Sequence, residues 1–252
     1  MNNKIEKPIF SLITPAIKNQ FYKEFYDSIS CGNNIPFEII FVGNKKPLSK
    51  ISDNFHYIYT NVKPSQCLEI AARRSQGEYL IHVADDVVFS KEYLNNIYRY
   101  IKEYENEKVM VSPVFYQRGK IKNQNFRFDK ANDFGPMLRA LPVFKRDVWH
   151  KIGGIDSRFE SIFQDYDMSL RFLEEGYHYV DALECRVEER VPIKRYRNLY
   201  RIGKNNNAKG LLYKLWVKDG KMSDKRLLPV IPFKDDDILL KSQGPNIKEL
   251  WD

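Results

Sequence analysis

Long apolar runs are missing from this sequence of 252 residues. Aliphatic stretches such as Ile39 to Val42 are far too short to span a bilayer, and the opening MNNKIEKPIF has no apolar signal-peptide core. Cysteine is scarce. Cys31, Cys67 and Cys185 stand far apart, are odd in number and form no C-x-x-C pair, which argues against a zinc site and a disulfide framework. The four histidines, His56, His82, His150 and His178, lack metal-ligand spacing and read as structural. There is no internal repeat, no low-complexity tract, and no Gly-rich phosphate loop after the first apolar segment, where Pro15-Ala16-Ile17 stands. A soluble protein of a reducing, cytoplasmic compartment is expected, still able to sit at a membrane surface as a peripheral protein.

What is present is enough apolar material for a sizeable core: 43% hydrophobic residues, with 16 Tyr and 16 Phe. One globular domain over residues 1–193 is expected, with a basic extension over 194–252. The formal net charge of +8 admits nucleic acid, an anionic membrane or a phosphorylated small molecule as partner. Lys and Arg are conspicuous from Arg186 to Arg226, but no zinc-finger, homeodomain or RNA-recognition signature accompanies them, so nucleic acid is not the expected partner.

Hydrophobic periodicity gives a first strand at Ile9 to Thr14, stopped by Pro15, and a second at Phe37 to Val42, stopped by Gly43-Asn44. Phe21, Phe25 and Ile29 between them fall at helical spacing. Further strands are predicted at Tyr57 to Tyr59, Tyr79 to Val83, Val109 to Ser112 and Tyr177 to Val180. Helices are predicted over Ser65 to Ser75, Lys91 to Tyr104 and Tyr166 to Glu175, with another starting at Phe144. Tyr116 to Gly135 reads as a loop or hairpin over the site. Such alternation predicts a mostly parallel α/β sheet with helices on both faces and a ligand beyond the carboxyl ends of its strands. Pro15 and the pair Asp85-Asp86 occupy such ends.

Two elements carry chemistry. Adjacent carboxylates after an apolar strand suit a hard divalent cation whose other ligands are phosphate oxygens, and equally suit a solvated turn. Gly153-Gly-Ile-Asp-Ser-Arg-Phe159 is followed by Gln164-Asp165-Tyr-Asp167-Met-Ser-Leu-Arg171. Asp165 is placed either to cap a helix or to act as a general base, and Asp167 is placed to pair with Arg171.

The order of three pieces resembles the GT-A nucleotide-diphospho-sugar glycosyltransferases, particularly the inverting family-two type. These pieces are Thr14-Pro15-Ala16, Gly77-Glu-Tyr-Leu with Ala84-Asp85-Asp86, and the Gly153 to Phe172 stretch, closed by Glu175-Gly176-Tyr177. The resemblance runs from Pro8 to about Val191. It implies a Rossmann-like sheet, a nucleotide-sugar donor with UDP favoured, Mn²⁺ or Mg²⁺ as cofactor, and a glycan or other hydroxyl acceptor. By position it makes Asp86 the metal carboxylate, with Asp85 beside it near the donor ribose or the metal. Thr14, Pro15 and Ala16 would line the nucleoside pocket, Lys63 would contact the donor, and Asp165 would be the base. Three departures stand out: Ala84 holds the motif's first acidic position and Gln164 the usual Glu. Val42-Gly43-Asn44 replaces the acidic end of the second strand, leaving Asn44 to meet the base. Where relatives place a metal-binding His, Cys185 to Glu189 stands, and Glu189 either offers an oxygen in its place or is simply exposed. The stretch Lys194 to Arg201, continuing to Lys204 and Lys209, reads as a phosphate-holding lid, a solvated helix or a membrane contact. A nucleotidyltransferase-like enzyme and a non-catalytic sugar- or nucleic-acid-binding module are the competing readings.

Overall fold

Phe10–Pro15 forms strand β1, whose buried side chains divide between two cores, Phe10 and Leu12 entering one and Ile13 the other. Burial on both sides is what a strand covered on both faces by helices requires. A computed structural model of the chain describes residues 7–117, 119–121, 126–129, 134–190, 204 and 207–235. Along these residues β1 is followed by α1 (Tyr22–Ser30), β2 (Phe37–Gly43), β3 (Phe55–Tyr59), α2 (Pro64–Arg74), β4 (Tyr79–His82) and β5 (Val87–Phe89). Then come α3 (Tyr93–Glu103), β6 (Val109–Gln117), β7 (Lys120–Ile121), β8 (Phe126–Asp129), β9 (Phe134–Leu138) and β10 (Val143–Lys145). The remainder is α4 (Arg146–Lys151), α5 (Gln164–Glu174), β11 (His178–Glu189), α6 (Ala208–Trp216), β12 (Val217–Lys218) and β13 (Lys221–Met222).

The main sheet runs β3-β2-β1-β4-β10-β6-β11-β5, with β7 added against β6. Strands β3, β2, β1 and β4 are mutually parallel, as are β6 and β11. The short β10 and β5 run antiparallel to their neighbours, so the sheet is mostly parallel, as expected for this α/β class. Helices α1 and α3 cover one face through Phe25, Ile29, Leu94 and Ile97, while α2, α4 and α5 cover the other through Leu68, Ala71, Trp149 and Phe172.

Two local expectations are corrected. The helix expected from Phe144 starts at Arg146, because Val143 and Phe144 are needed in the sheet, one side chain in each core. The strand β5 was not anticipated. It immediately follows Asp86 and pairs with the end of β11, Glu189 opposite Val87, so the acidic pair sits in a turn enclosed between strands. Within Tyr116 to Gly135, the described residues form the end of β6, β7, and the two strands β8 and β9 that pair with each other.

A third core joins β8, β9 and α5 to α6 through Phe128, Leu138, Phe159, Leu170, Leu212 and Trp216. Residues 208–235 of the basic extension are thus packed onto the sheet domain. They also complete a buried ionic network. Asp167 Oδ1 accepts from Trp216 Nε1 at 2.8 Å and Arg226 Nε at 2.9 Å, and Asp167 Oδ2 accepts from Arg171 Nε at 3.0 Å. Arg226 also donates to Asp156 Oδ2 at 2.6 Å, joined there by Arg158. The side chains of Asp156 and Asp167 are fully buried, so each needs a cationic partner to offset lost hydration. Arg226→Met removes the guanidinium that bridges the two carboxylates, leaving each with one arginine and with buried acceptor positions unfilled, and urea unfolding should show a loss of about 3 kcal/mol. A loss under about 0.5 kcal/mol would contradict this role.

Candidate functional site

The carboxyl ends of β1, β2 and β4 meet through specific backbone contacts. Thr14 is buried and its Oγ1 donates to Val83 O at 2.5 Å, while Ala16 N donates to Val42 O at 2.8 Å. Gly43 permits this approach: a Cβ there would lie 1.9 Å from Ala16 O. Ala16 is itself a core residue, and Pro15 is only half-buried. Of the three residues expected to line a nucleoside pocket, two therefore have buried side chains.

Asp85 ties the loop after β1 to the end of β4. Its Oδ2 accepts from Ile17 N at 2.6 Å and from Lys18 N at 2.7 Å. Asp86 is fully buried, with Lys18 Nζ 2.8 Å from its Oδ2; the same ammonium lies 3.6 Å from Asp85 Oδ1. That contact is ionic, since neither Asp86 carboxylate oxygen accepts a hydrogen bond among the described residues. Burial pushes the Asp85 carboxyl up to about 6, opposed by the Lys18 charge and two backbone N–H groups and reinforced by Asp86.

Among the described residues no three acidic, His or Cys side chains converge as a protein cage for an ion. Two buried carboxylates, one with both oxygens lacking donors, still fit an ion of the Mg²⁺ or Mn²⁺ kind, which takes one or two carboxylates and fills its sphere with phosphate and water oxygens. Glu189 lies one strand position from this turn, with Arg190 N donating to Asp86 O at 2.9 Å, and its carboxylate accepts from Gln117 Nε2. Asn44 follows β2 with its Oδ1 shielded from solvent and, among the described residues, lacking a donor, an acceptor able to take a ligand N–H. Lys63, just before α2, pairs with Glu160 at 2.7 Å.

Asp165 lies in the first turn of α5, where Phe163 at φ 67° is the capping position, so Asp165 is not itself the cap. Gly154 anchors the preceding loop at φ +64°, and a Cβ there would meet the Glu69 carboxylate at 2.5 Å. That carboxylate is held by Trp149 Nε1 at 3.0 Å and Ile155 N at 2.9 Å. Asp165 reaches solvent in a cavity of about 250 Å³ that is also lined by His82, Arg139, Tyr166 and Trp149. The dense protein around it raises its carboxyl above the ordinary value, with backbone N–H groups of residues 165 and 166 pulling the other way. The exposure of Asp165 to solvent limits that rise. Arg139 is braced by Asp181 at 2.8 and 3.2 Å.

Asp165 and His82 thus share one cavity, and Asp85 and Asp86 lie three and four residues beyond His82, in the turn after β4. Lys204 is exposed and Lys209 pairs with Asp129 at 3.1 Å, while Lys194 to Arg201 lie outside the described residues. Lys18 and Arg139 were missed in the sequence. A signal for Lys18 existed, since it follows the end of β1, where strand-end loops carry ligand contacts.

No protein-family model matches the chain. A curated relative from Haemophilus influenzae, named an uncharacterized glycosyltransferase, is 26% identical over 128 residues, 46% of this chain and 42% of the relative. The chain therefore spans about two fifths of the length of that relative. Among solved structures, S. aureus TarS superposes with a TM-score of 0.55 at 13% identity, over 77% of this chain and 38% of that one. TarS 1–349 in complex with UDP gives 0.54 at 13% identity, over 80% of this chain and 65% of that one. The fold is GT-A-like. This likeness matches the family resemblance of the sequence motifs. Among the described residues no helix is long and apolar enough to cross a membrane.

Burial lowers the His82 imidazole to about 4. An NMR titration should find His82 neutral from about pH 8 to about pH 5, where an ordinary imidazole has already protonated. The unfolded chain takes that proton near pH 6.5 and the folded protein does not, so His82 favours unfolding as the pH falls below that value. Protonation at an ordinary pH would contradict this burial.

Proposed function

We propose that this protein is a glycosyltransferase that moves a sugar from a nucleoside diphosphate donor, UDP-linked by preference, to an acceptor hydroxyl with inversion at the anomeric carbon. The observation that carries the reading is that Asp165 lines one cavity with His82, the last residue of the strand whose following turn bears Asp85 and Asp86. The curated relative's name and the UDP complex of TarS support the same class.

In this reading Asp165 takes the proton from the acceptor oxygen as that oxygen attacks the anomeric carbon from the side opposite the diphosphate. The new glycosidic bond forms as the bond to the diphosphate oxygen breaks, through a transition state with oxocarbenium character. A raised carboxyl suits a general base, because its conjugate base holds a proton more strongly. Asp86, with Asp85 beside it, would hold a divalent cation, Mn²⁺ or Mg²⁺, that neutralises charge on the departing diphosphate. Asn44 is offered to the nucleobase and the backbone of Thr14 to Ala16 to the nucleoside. In this reading Lys63 would reach the donor and Glu189 would supply a further oxygen. The acceptor is a glycan or another hydroxyl compound, in line with surface polysaccharide synthesis.

Asp165→Asn keeps the shape of the base and removes its basicity. Donor binding, followed by a thermal shift with UDP-sugars, should persist, while kcat falls by about a thousandfold. In the unmodified protein kcat/KM should decline with falling pH, along a limb above the ordinary carboxylate value, as Asp165 gains its proton. Undiminished turnover in Asp165→Asn would remove Asp165 from the reaction.

A further inference from the structure

Two buried carboxylates in adjacent positions are electrostatically expensive unless a cation lies with them. In this fold that cation is the ammonium of Lys18, 2.8 Å from Asp86 and 3.6 Å from Asp85. Its side chain is only 11% exposed, and its backbone N–H is fixed on Asp85 at 2.7 Å, so the ammonium is delivered to Asp86 by a loop that Asp85 itself holds. Two carboxylates and one ammonium still sum to a single negative charge, which repels a diphosphate. The arrangement compensates the buried acids without creating an anion site.

We propose that Lys18 is a built-in, exchangeable counter-ion of this acidic pair, holding on Asp86 the place that a divalent cation takes when a nucleoside diphosphate binds. The proposal rests on the reading of Asp86 as a metal carboxylate. When the divalent ion replaces the ammonium at Asp86, the charge of the pair, the ion and the displaced lysine together becomes a single positive one. The turn then favours the diphosphate it previously repelled. Metal alone must compete with Lys18, whereas metal carried by the nucleotide gains the phosphate ligands as compensation. Lys18 is therefore a positioning and gating residue that couples metal binding to donor binding.

The test is Mn²⁺ binding to the whole protein without nucleotide, read as loss of the free-ion EPR signal, in the wild type, Lys18→Met and Lys18→Arg. Lys18→Met should bind Mn²⁺ at least about tenfold more tightly than the wild type. Lys18→Arg, which keeps the charge, should bind as weakly as the wild type. A second readout covers loss of fold: Lys18→Met should melt at a lower temperature in chelator and recover with Mn²⁺, while the wild-type melting temperature ignores Mn²⁺ alone. Equal Mn²⁺ affinity in the wild type and Lys18→Met, or no binding and no recovery in Lys18→Met, overturns the proposal. Because no nucleotide is present, a protein that transfers sugar but fails this test loses only the Lys18 assignment. One that passes but turns over no donor loses the glycosyl-transfer reading.

Discussion

Everything at the strand ends depends on one carboxylate. Asp85 Oδ2 accepts two consecutive backbone N–H groups, at 2.6 and 2.7 Å, and so fastens the loop after β1 to the turn after β4. These parallel neighbours are already paired from Phe10 with Tyr79 to Ile13 with His82, but ladder hydrogen bonds stop at the strand ends. Beyond that limit side chains must fix the chain, and Asp85 does so with a charge-assisted pair of bonds in a buried setting. The consequence reaches past geometry: the same loop brings Lys18 to Asp86, so one residue organises both the shape and the charge of the site.

A second constraint governs Asp165 from a distance. Its helix, α5, is pinned through Asp167, which gathers Arg171, Trp216 and Arg226, and Arg226 continues to Asp156 in the loop before the helix. A residue 59 positions away in sequence thereby sets the placement of the candidate base. Arg226, although it belongs to the basic extension, is thus engaged by internal carboxylates. The segment continues to Ser157, whose N–H donates to Ile231 O at 2.8 Å, and to Arg73, which pairs with Asp235 at 2.9 Å.

Much of the fold was legible because its strands are nearly continuous apolar runs bounded by turn residues. Phe37–Gly43 and Tyr79–His82 stand within a residue of the expected limits, and α2 and α5 within about two. Short strands escaped for a physical reason: Val87–Phe89 and Val143–Lys145 have three residues each, too few to show a period, and only their sheet neighbours define them. At the site, motif order pointed to Asp85, Asp86 and Asp165. Arg226 stayed hidden because an ion pair between residues 59 apart leaves no local pattern, and for Lys18 the position after β1 was visible but its pairing with Asp86 was not. The glycines of the motifs have structural reasons as well, Gly154 through its positive φ beside Glu69. Motif order alone therefore marks where a site lies better than what charge it carries.

The central claim is that the turn at Asp85-Asp86 is where the diphosphate of a nucleotide donor is bound through a divalent cation. A crystal structure of the protein with UDP and Mn²⁺, collected at the manganese absorption edge, tests it directly. The account predicts an anomalous peak against Asp86, the diphosphate on the far side of that ion, the uracil near Asn44, and the Lys18 ammonium withdrawn from Asp86. Manganese bound elsewhere, or UDP bound with Lys18 still seated on Asp86, would contradict it.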